Sequence, residues 1–431
     1  MILSMPLVSP LYAQTLESIN LSNDLGRSTD PRIATSENNM YVVWSDNTTG
    51  NGDIYFKAST DNGTTFGGTT NLSNDLGRST DPRIATSENN MYVVWSDTTT
   101  GNGDIYFKAS TDNGTTFGGR KNLSNNTGVS SGAKIAASGN NVYVVWSDTT
   151  TGNGDIYFKA STNKGVSFTG KKNLSSTSNI ASSISPQIAT SGKSNVYVVW
   201  SDAITGNGDI YFRASADNGT KFSNKNNLSI RSAGSSISPQ IAASGNNVYV
   251  VWSDNTHGNS DTFFKASINN GAKFTGNKSL SRNVGSSYDP KVAASGNNVY
   301  VVWEDNTVGL NNISKSFYLY FRTSINAGAN FTDKEYLSRN IGQLADYSQI
   351  IASGNNAYVV WSDISRYQGV YDVFLRAITD NGTAISDPIK ISNTNGTSNS
   401  PQIATSGDYI YVVWQDDTTG NGDIYFRRGV G

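Results

Sequence analysis

The chain has no cysteine and a single histidine, His257. Thiolate catalysis, disulfides and a two-histidine metal site are therefore excluded, and a Ser-His-Asp site would have to use His257, which stands in a loop where other parts of the chain carry Thr. What remains for chemistry is carboxylates, amines, guanidinium groups and phenols. The most repetitive acids are aspartates seven residues apart, such as Asp46 with Asp53 and Asp97 with Asp104. Across a Gly/Asn-rich loop such a pair could hold calcium or act as acid and base. A catalytic site is one place, however, and these pairs recur along the chain. Bracing of a loop through backbone N–H groups is the preferred reading. No metal or cofactor is expected.

Glutamate occurs five times, and Glu304 alone replaces a recurring residue with an acid. With Tyr318 and Arg366 it forms the candidate catalytic set; the alternative is a surface Ser-to-Glu drift. A third set is Arg32, Arg83, Lys134, Gln187, Gln240, Lys291, Gln349 and Gln402, one from each of eight equivalent segments. Such groups bind an anion or a sugar by direct hydrogen bonds. The competing reading is that they only hydrate the surface they line. Net charge is −2 with no long run of one sign, so neither a nucleic-acid face nor a polybasic membrane patch is expected.

The elements that position these groups come from one repeated unit. Residues 20–70 and 71–121 differ at three positions only, where Asn47, Thr69 and Thr70 answer Thr98, Arg120 and Lys121. The eight tryptophans, Trp44, Trp95, Trp146, Trp200, Trp252, Trp303, Trp361 and Trp414, fall 51 to 58 residues apart. A period near 50 with several short strands per unit predicts a β-propeller. Each unit carries four strand signals: a short x-Leu-Ser segment, a Pro-x-Ile-Ala segment, an apolar run such as Met40-Tyr41-Val42-Val43-Trp44, and Asp53-Ile54-Tyr55-Phe56. The unalternating apolar run predicts a strand covered on both faces. No helical period appears.

Eight copies of each segment predict an all-β, eight-bladed propeller of four-stranded antiparallel blades. The chain starts with an x-Leu-Ser strand and ends after an Asp-Ile-Tyr-Phe strand. The N-terminal strand is therefore expected to complete the last blade and remove a sheet edge. The central channel then runs past the Arg/Lys/Gln set. Residues 15–431 read as a single domain. Residues 1–14 read as the hydrophobic part and end of a secretory signal, too short to span a membrane. Asn-x-Ser/Thr sites such as Asn20, Asn71 and Asn122 are permissive for export. An extracellular or cell-surface location without a membrane span is expected.

After the fourth segment comes a tight turn, Ser59-Thr60-Asp61-Asn62-Gly63-Thr64-Thr65-Phe66, repeated at residues 110–117. It matches the Asp-box pattern S-x-D-x-G-x-T-W/F. The structural positions are Asp61 and Gly63, Asp112 and Gly114, Asp217 and Gly219, and Asp380 and Gly382. The carboxylate is expected to accept backbone N–H groups, and the aromatic ring to lie under the hairpin. With this motif on a 50-residue, four-strand repeat, the chain resembles the sialidase-like, Asp-box-repeat propellers from residue 20 to residue 426.

Sialidases of that superfamily use an arginine triad, a Tyr/Glu nucleophile pair and an acidic Asp, and their first arginine usually sits in an R-I-P segment. Arg32-Ile33-Ala34 and Arg83-Ile84-Ala85 match that segment without its proline. The resemblance therefore implies fold more than activity. Near-identical units favour a multivalent binding or surface-interaction module for glycans or cell-surface proteins. The alternatives are a sialidase-type exo-glycoside hydrolase with one site at the channel mouth, and a purely structural envelope component. Equivalent pockets around the ring would mark the binder. Three basic groups converging on a Tyr/Glu pair would mark the enzyme.

Overall fold

Eight antiparallel sheets, one per repeat, stand around a central channel in a computed structural model. It describes residues 17–430 apart from 177–181, 204–206, 230–233, 283–284, 307–315, 340, 343 and 365–368. The signal-like segment 1–14 and Arg366 lie outside the described residues.

In the first blade the strands Ser28–Ser36, Asn39–Asp46, Asp53–Ser59 and Thr70–Asn71 run from channel to rim. The outer strand is thus the start of the next sequence unit. The eighth blade, Ser398–Ser406, Tyr409–Asp416 and Asp423–Val430, is completed by Ile19–Asn20, with Ile19 opposite Phe426 and Asn20 opposite Tyr425. The expected closure between termini is therefore present. The seventh sheet departs from the rule with a fifth, two-residue strand, Ala384–Ile385, beside Ile378–Thr379. Its turn has become a short 3-10 turn, Asp380–Gly382, and Ile385 stands where other blades carry Phe.

The second strand explains its own sequence. Met40, Val42 and Trp44 pack toward the eighth blade, whereas Tyr41 and Val43 pack toward the second. Both faces are buried because each blade is sandwiched, so the run has no polar face. All eight tryptophans are fully buried, and each stacks on the aromatic residue opposite it on the third strand, as Trp44 does on Tyr55 at 6.2 Å.

The paired aspartates are braces. Asp46 accepts from Ser28 Oγ at 2.5 Å and from Thr48 N at 2.7 Å. Asp53 accepts from Ser73 Oγ at 2.6 Å, Asn71 Nδ2 at 2.9 Å and Thr49 Oγ1 at 2.7 Å. The Asn-Leu-Ser segment therefore has a structural purpose: its Asn and Ser satisfy a buried carboxylate while Leu72 fills the core. Asn71 also accepts from Asn74 N at 2.8 Å. The side-chain amides of Asn20, Asn71, Asn122 and Asn173 are thus held inside the fold, which accounts for the recurrence of these Asn-x-Ser segments without glycosylation.

Candidate functional site

Two regions carry accessible polar chemistry: the rim, where the Asp-box turns lie, and the channel. At the rim, Asp61 Oδ1 accepts from Thr64 N at 3.0 Å, Thr65 N at 2.9 Å and Ser59 Oγ at 2.7 Å, and Oδ2 accepts from Thr65 Oγ1 at 2.7 Å. These donors favour the ionised form and hold the Asp61 carboxyl down at about 2; Asp112, through Thr116 first, sits at about 2 as well, and Asp217 is lowered. Gly63 has φ +76°, and a Cβ there would lie 2.5 Å from Met40 Cε and 2.8 Å from Phe426 Cζ. The turn must be glycine for both reasons. Gly114 and Gly219 meet Phe56 and Phe158 in the same way. Asp380 departs: Ile378 stands where Ser59 does and Asp380 itself has φ 53°, and what it shares with the Asp61 box is the bond its backbone carbonyl accepts from the Thr three residues on.

The aromatic ring of the box does not lie under its own hairpin. Phe66 crosses the blade junction and stands edge-on to Phe426 at 5.1 Å, and Phe117 does the same to Phe56. The box therefore glues neighbouring blades, and it leaves a cleft between successive boxes. The first cleft, about 530 Å³, is lined by Phe56, Thr60, Thr65, Phe66, Thr70, Asn113 and Thr115 with the glycine backbone at Gly67 and Gly68. The second, about 370 Å³, has the same geometry one blade on, with Phe107, Thr111, Thr116, Phe117 and Lys121. Its lining differs at three positions: Thr70 becomes Lys121, Asn113 becomes Lys164 and Thr115 becomes Val166. Further round, the equivalent Lys172 donates to Thr220 O at 2.7 Å, and Lys278 to Gly328 O at 2.8 Å, bridging from one blade to the next box.

In the channel, each inner strand makes a bulge whose central residue has positive φ: Asp30, Asp81, Gly132, Ser185, Ser238, Asp289, Tyr347 and Ser400. Two residues later come Arg32, Arg83, Lys134, Gln187, Gln240, Lys291, Gln349 and Gln402, all half-buried. The structure thus gathers the predicted ring on the channel wall. Arg83 Nη2 pairs with Asp81 Oδ1 at 2.6 Å, and Lys291 pairs with Asp289. Burial, then the nearby Arg83, lower Arg32 to about 10. Burial, Arg83, Arg32 and Lys291 lower Lys134 to about 7 against the opposing pull of Asp81.

Glu304 is buried, not on the surface. It stands opposite Tyr288 and accepts from Ser348 Oγ of the next blade at 3.4 Å. In three other blades the equivalent serine reaches the neighbouring backbone, as Ser147 does to Ser183 O at 2.9 Å. Burial and the charges of Asp289 and Asp346 raise the Glu304 carboxyl to about 8, with Lys291 opposing. Asp346 is also raised, by burial first. The phenols that feel Glu304 are Tyr347 and Tyr371. Tyr318 belongs to another cluster, its ring edge-on to Tyr336 at 5.1 Å. Sequence reasoning passed over Tyr347 and Asp346. The available signal was that the seventh inner segment, Asp346-Tyr347-Ser348-Gln349, breaks the Ser-Pro or Asp-Pro pattern, and a tyrosine at φ 56° is uncommon. His257 is exposed and stacks on Phe263 at 6.1 Å. Among the described residues no helix is long and apolar enough to cross a membrane.

No protein-family model matches this chain, and no curated protein matches it. Solved structures do. The polysaccharide lyase Uly1 superposes with a TM-score of 0.54 at 10% identity, over 92% of this chain and 89% of that one. An α-L-arabinofuranosidase of Fusarium graminearum with arabinobiose gives 0.46 at 13% identity, over 81% and 92%. A mutant of NanB sialidase from Streptococcus pneumoniae gives 0.42 at 10% identity, over 91% and 83%. At these identities the likeness is one of fold alone, that of a β-propeller.

Proposed function

We propose that the protein is an exported, extracellular or cell-surface binding module that holds glycans in the clefts between successive Asp-box turns and performs no chemistry on them. The observation that carries this reading is the recurrence of one cleft at consecutive junctions, with the same two Phe rings, two Thr hydroxyls and box turn. Their volumes fall in the range of about 300–1,000 Å³ that suits small ligands. Aromatic faces take the apolar face of a sugar ring, and hydroxyl and backbone groups bond its hydroxyls. Weak sites on one rigid ring gain avidity together. A propeller fold shared with a polysaccharide lyase is compatible with a sugar ligand and does not choose between binding and turnover.

The test is a glycan-array screen of the purified chain beside Phe66→Ala, Phe117→Ala and the double variant. Stepwise loss of retention, steepest for the double variant, supports the reading; retention unaffected by all three sinks it.

A second reading is favoured by one sector of the channel mouth, where Glu304 stays protonated to about pH 8 beside Asp346, Tyr347 and Tyr371. A carboxylic acid of this kind suits a general acid in glycosidic bond cleavage. Among the described residues one cation, Lys291, accompanies it there. Sialoside turnover abolished by Glu304→Gln would overturn the non-catalytic reading.

A further inference from the structure

We propose that the channel binds one small oxyanion at Lys134 of the third blade, with Arg83 and Arg32 of the second and first blades beside it. The argument begins with a rule inside the repeat. Where the channel position carries a cation, the bulge two residues earlier carries a carboxylate: Asp30 with Arg32, Asp81 with Arg83, Asp289 with Lys291. Where it carries glutamine after a proline, the bulge carries serine: Ser185 with Gln187, Ser238 with Gln240, Ser400 with Gln402. The third blade breaks the rule, because Gly132 precedes Lys134.

In two of the three the geometry follows the rule: Arg83 and Lys291 form ion pairs with their own bulge carboxylates, whereas Arg32 donates to Pro31 O at 2.8 Å. Lys134 has neither a hydrogen bond nor an ion pair among the described residues. Its field is set by Arg83, Arg32 and Lys291, with Asp81 already engaged by Arg83, and the adjoining fourth blade offers only the neutral Gln187. Lys291 lies three blades away, at the equivalent channel position of the sixth blade. A desolvated cation without a counter-ion either loses its proton or acquires an anion. The drop of Lys134 toward neutrality is the first response; a bound oxyanion is the second.

The rule also supplies the experiment. Gly132 has φ +63°, close to the 53°, 54° and 43° of Asp30, Asp81 and Asp289. Nothing lies within 4 Å of where its Cβ would be. Gly132→Asp therefore restores the missing carboxylate in a backbone that three sister blades already accept. Inorganic sulfate, against chloride at equal ionic strength, is titrated into the full chain by calorimetry and thermal melting at pH 6 and pH 8. The parent is expected to bind sulfate and to melt higher with it, more strongly at pH 6, where the amine is charged. Lys134→Gln and Gly132→Asp are each expected to weaken sulfate binding about tenfold or more, as the loss of a charge-assisted contact does. Without sulfate at pH 6, each should melt above the parent. A parent with no sulfate-specific response, or a response retained in either variant, overturns the proposal. Gly132→Asp serves alone if Lys134→Gln does not fold. Neither residue lines the rim clefts, so failure here leaves the glycan reading untouched.

Discussion

At the rim, Asp61, Asp112 and Asp217 each take the serine two residues before and the backbone N–H four residues ahead, in blade after blade. At the channel, one equivalent position carries Arg, Lys or Gln, and its bulge carries Asp, Ser, Gly or Tyr. The rim is conservative because its contacts are to backbone and to glycine, where side-chain variation finds no room. The mouth varies because its side chains face a lumen rather than a packed neighbour, so exchange costs little packing and alters charge. The same repeat thus builds a set of like clefts at one place and, at the other, two singular positions three blades apart, Lys134 on the third and Glu304 on the sixth.

Substitutions can break this contrast. The largest effect is expected from the layer common to both regions. Trp95→Ala and Trp361→Ala should each cost about 3–5 kcal/mol in urea unfolding. Unequal losses would mean that the junctions are not equivalent. Next is Glu304→Gln. The folded carboxyl titrates near 8 and the unfolded one near 4.5, so the folded state holds the extra proton between them. Parent stability should therefore fall as pH rises from about 4.5 to 8. The variant should lack that slope and be more stable by about 2–4 kcal/mol at pH 8 and above. A parallel pH dependence in both proteins would remove Glu304 from the singular positions.

Gly114→Ala should cost about 2–3 kcal/mol, because φ is +81° and a Cβ would sit 2.6 Å from Phe56 Cζ. Equilibrium unfolding measures it, and a neutral result would contradict the claim that the box glycines admit no side chain. Smallest in stability is Thr70→Lys, within about 0.5 kcal/mol at an exposed position. It gives the first cleft the entrance lysine that the second already carries as Lys121, so the first cleft's share of ligand retention should shift toward that of the second. Retention equal to the parent's would show that the entrance residue does not gate the cleft.

The mouth was only half legible in the residues. Glu304 stood out as the one acid in a serine position, and the Arg/Lys/Gln set was visible as an aligned column. The partners were hidden. Tyr318 is close to Glu304 in sequence and in an adjacent strand, yet its ring joins Tyr336. Asp346, Tyr347 and Tyr371 come from the next blade and meet Glu304 only because the ring juxtaposes blades six and seven. Phe66 was legible as a buried aromatic but not as a bolt into the neighbouring blade.

By itself the sequence determined the number of blades, the order of strands and the closure by Ile19–Asn20, because period, apolar runs and the count of segments are local properties. It also determined the Asp-box turns, whose hydrogen bonds span only four residues. Tertiary structure decided which side chains share a space. The clefts lie between turns of different blades, the Asn-Leu-Ser amides are consumed by the preceding unit's aspartate, and the charge around Lys134 comes from three other blades. Those are relations across a ring, set by how blades pack rather than by any stretch of chain.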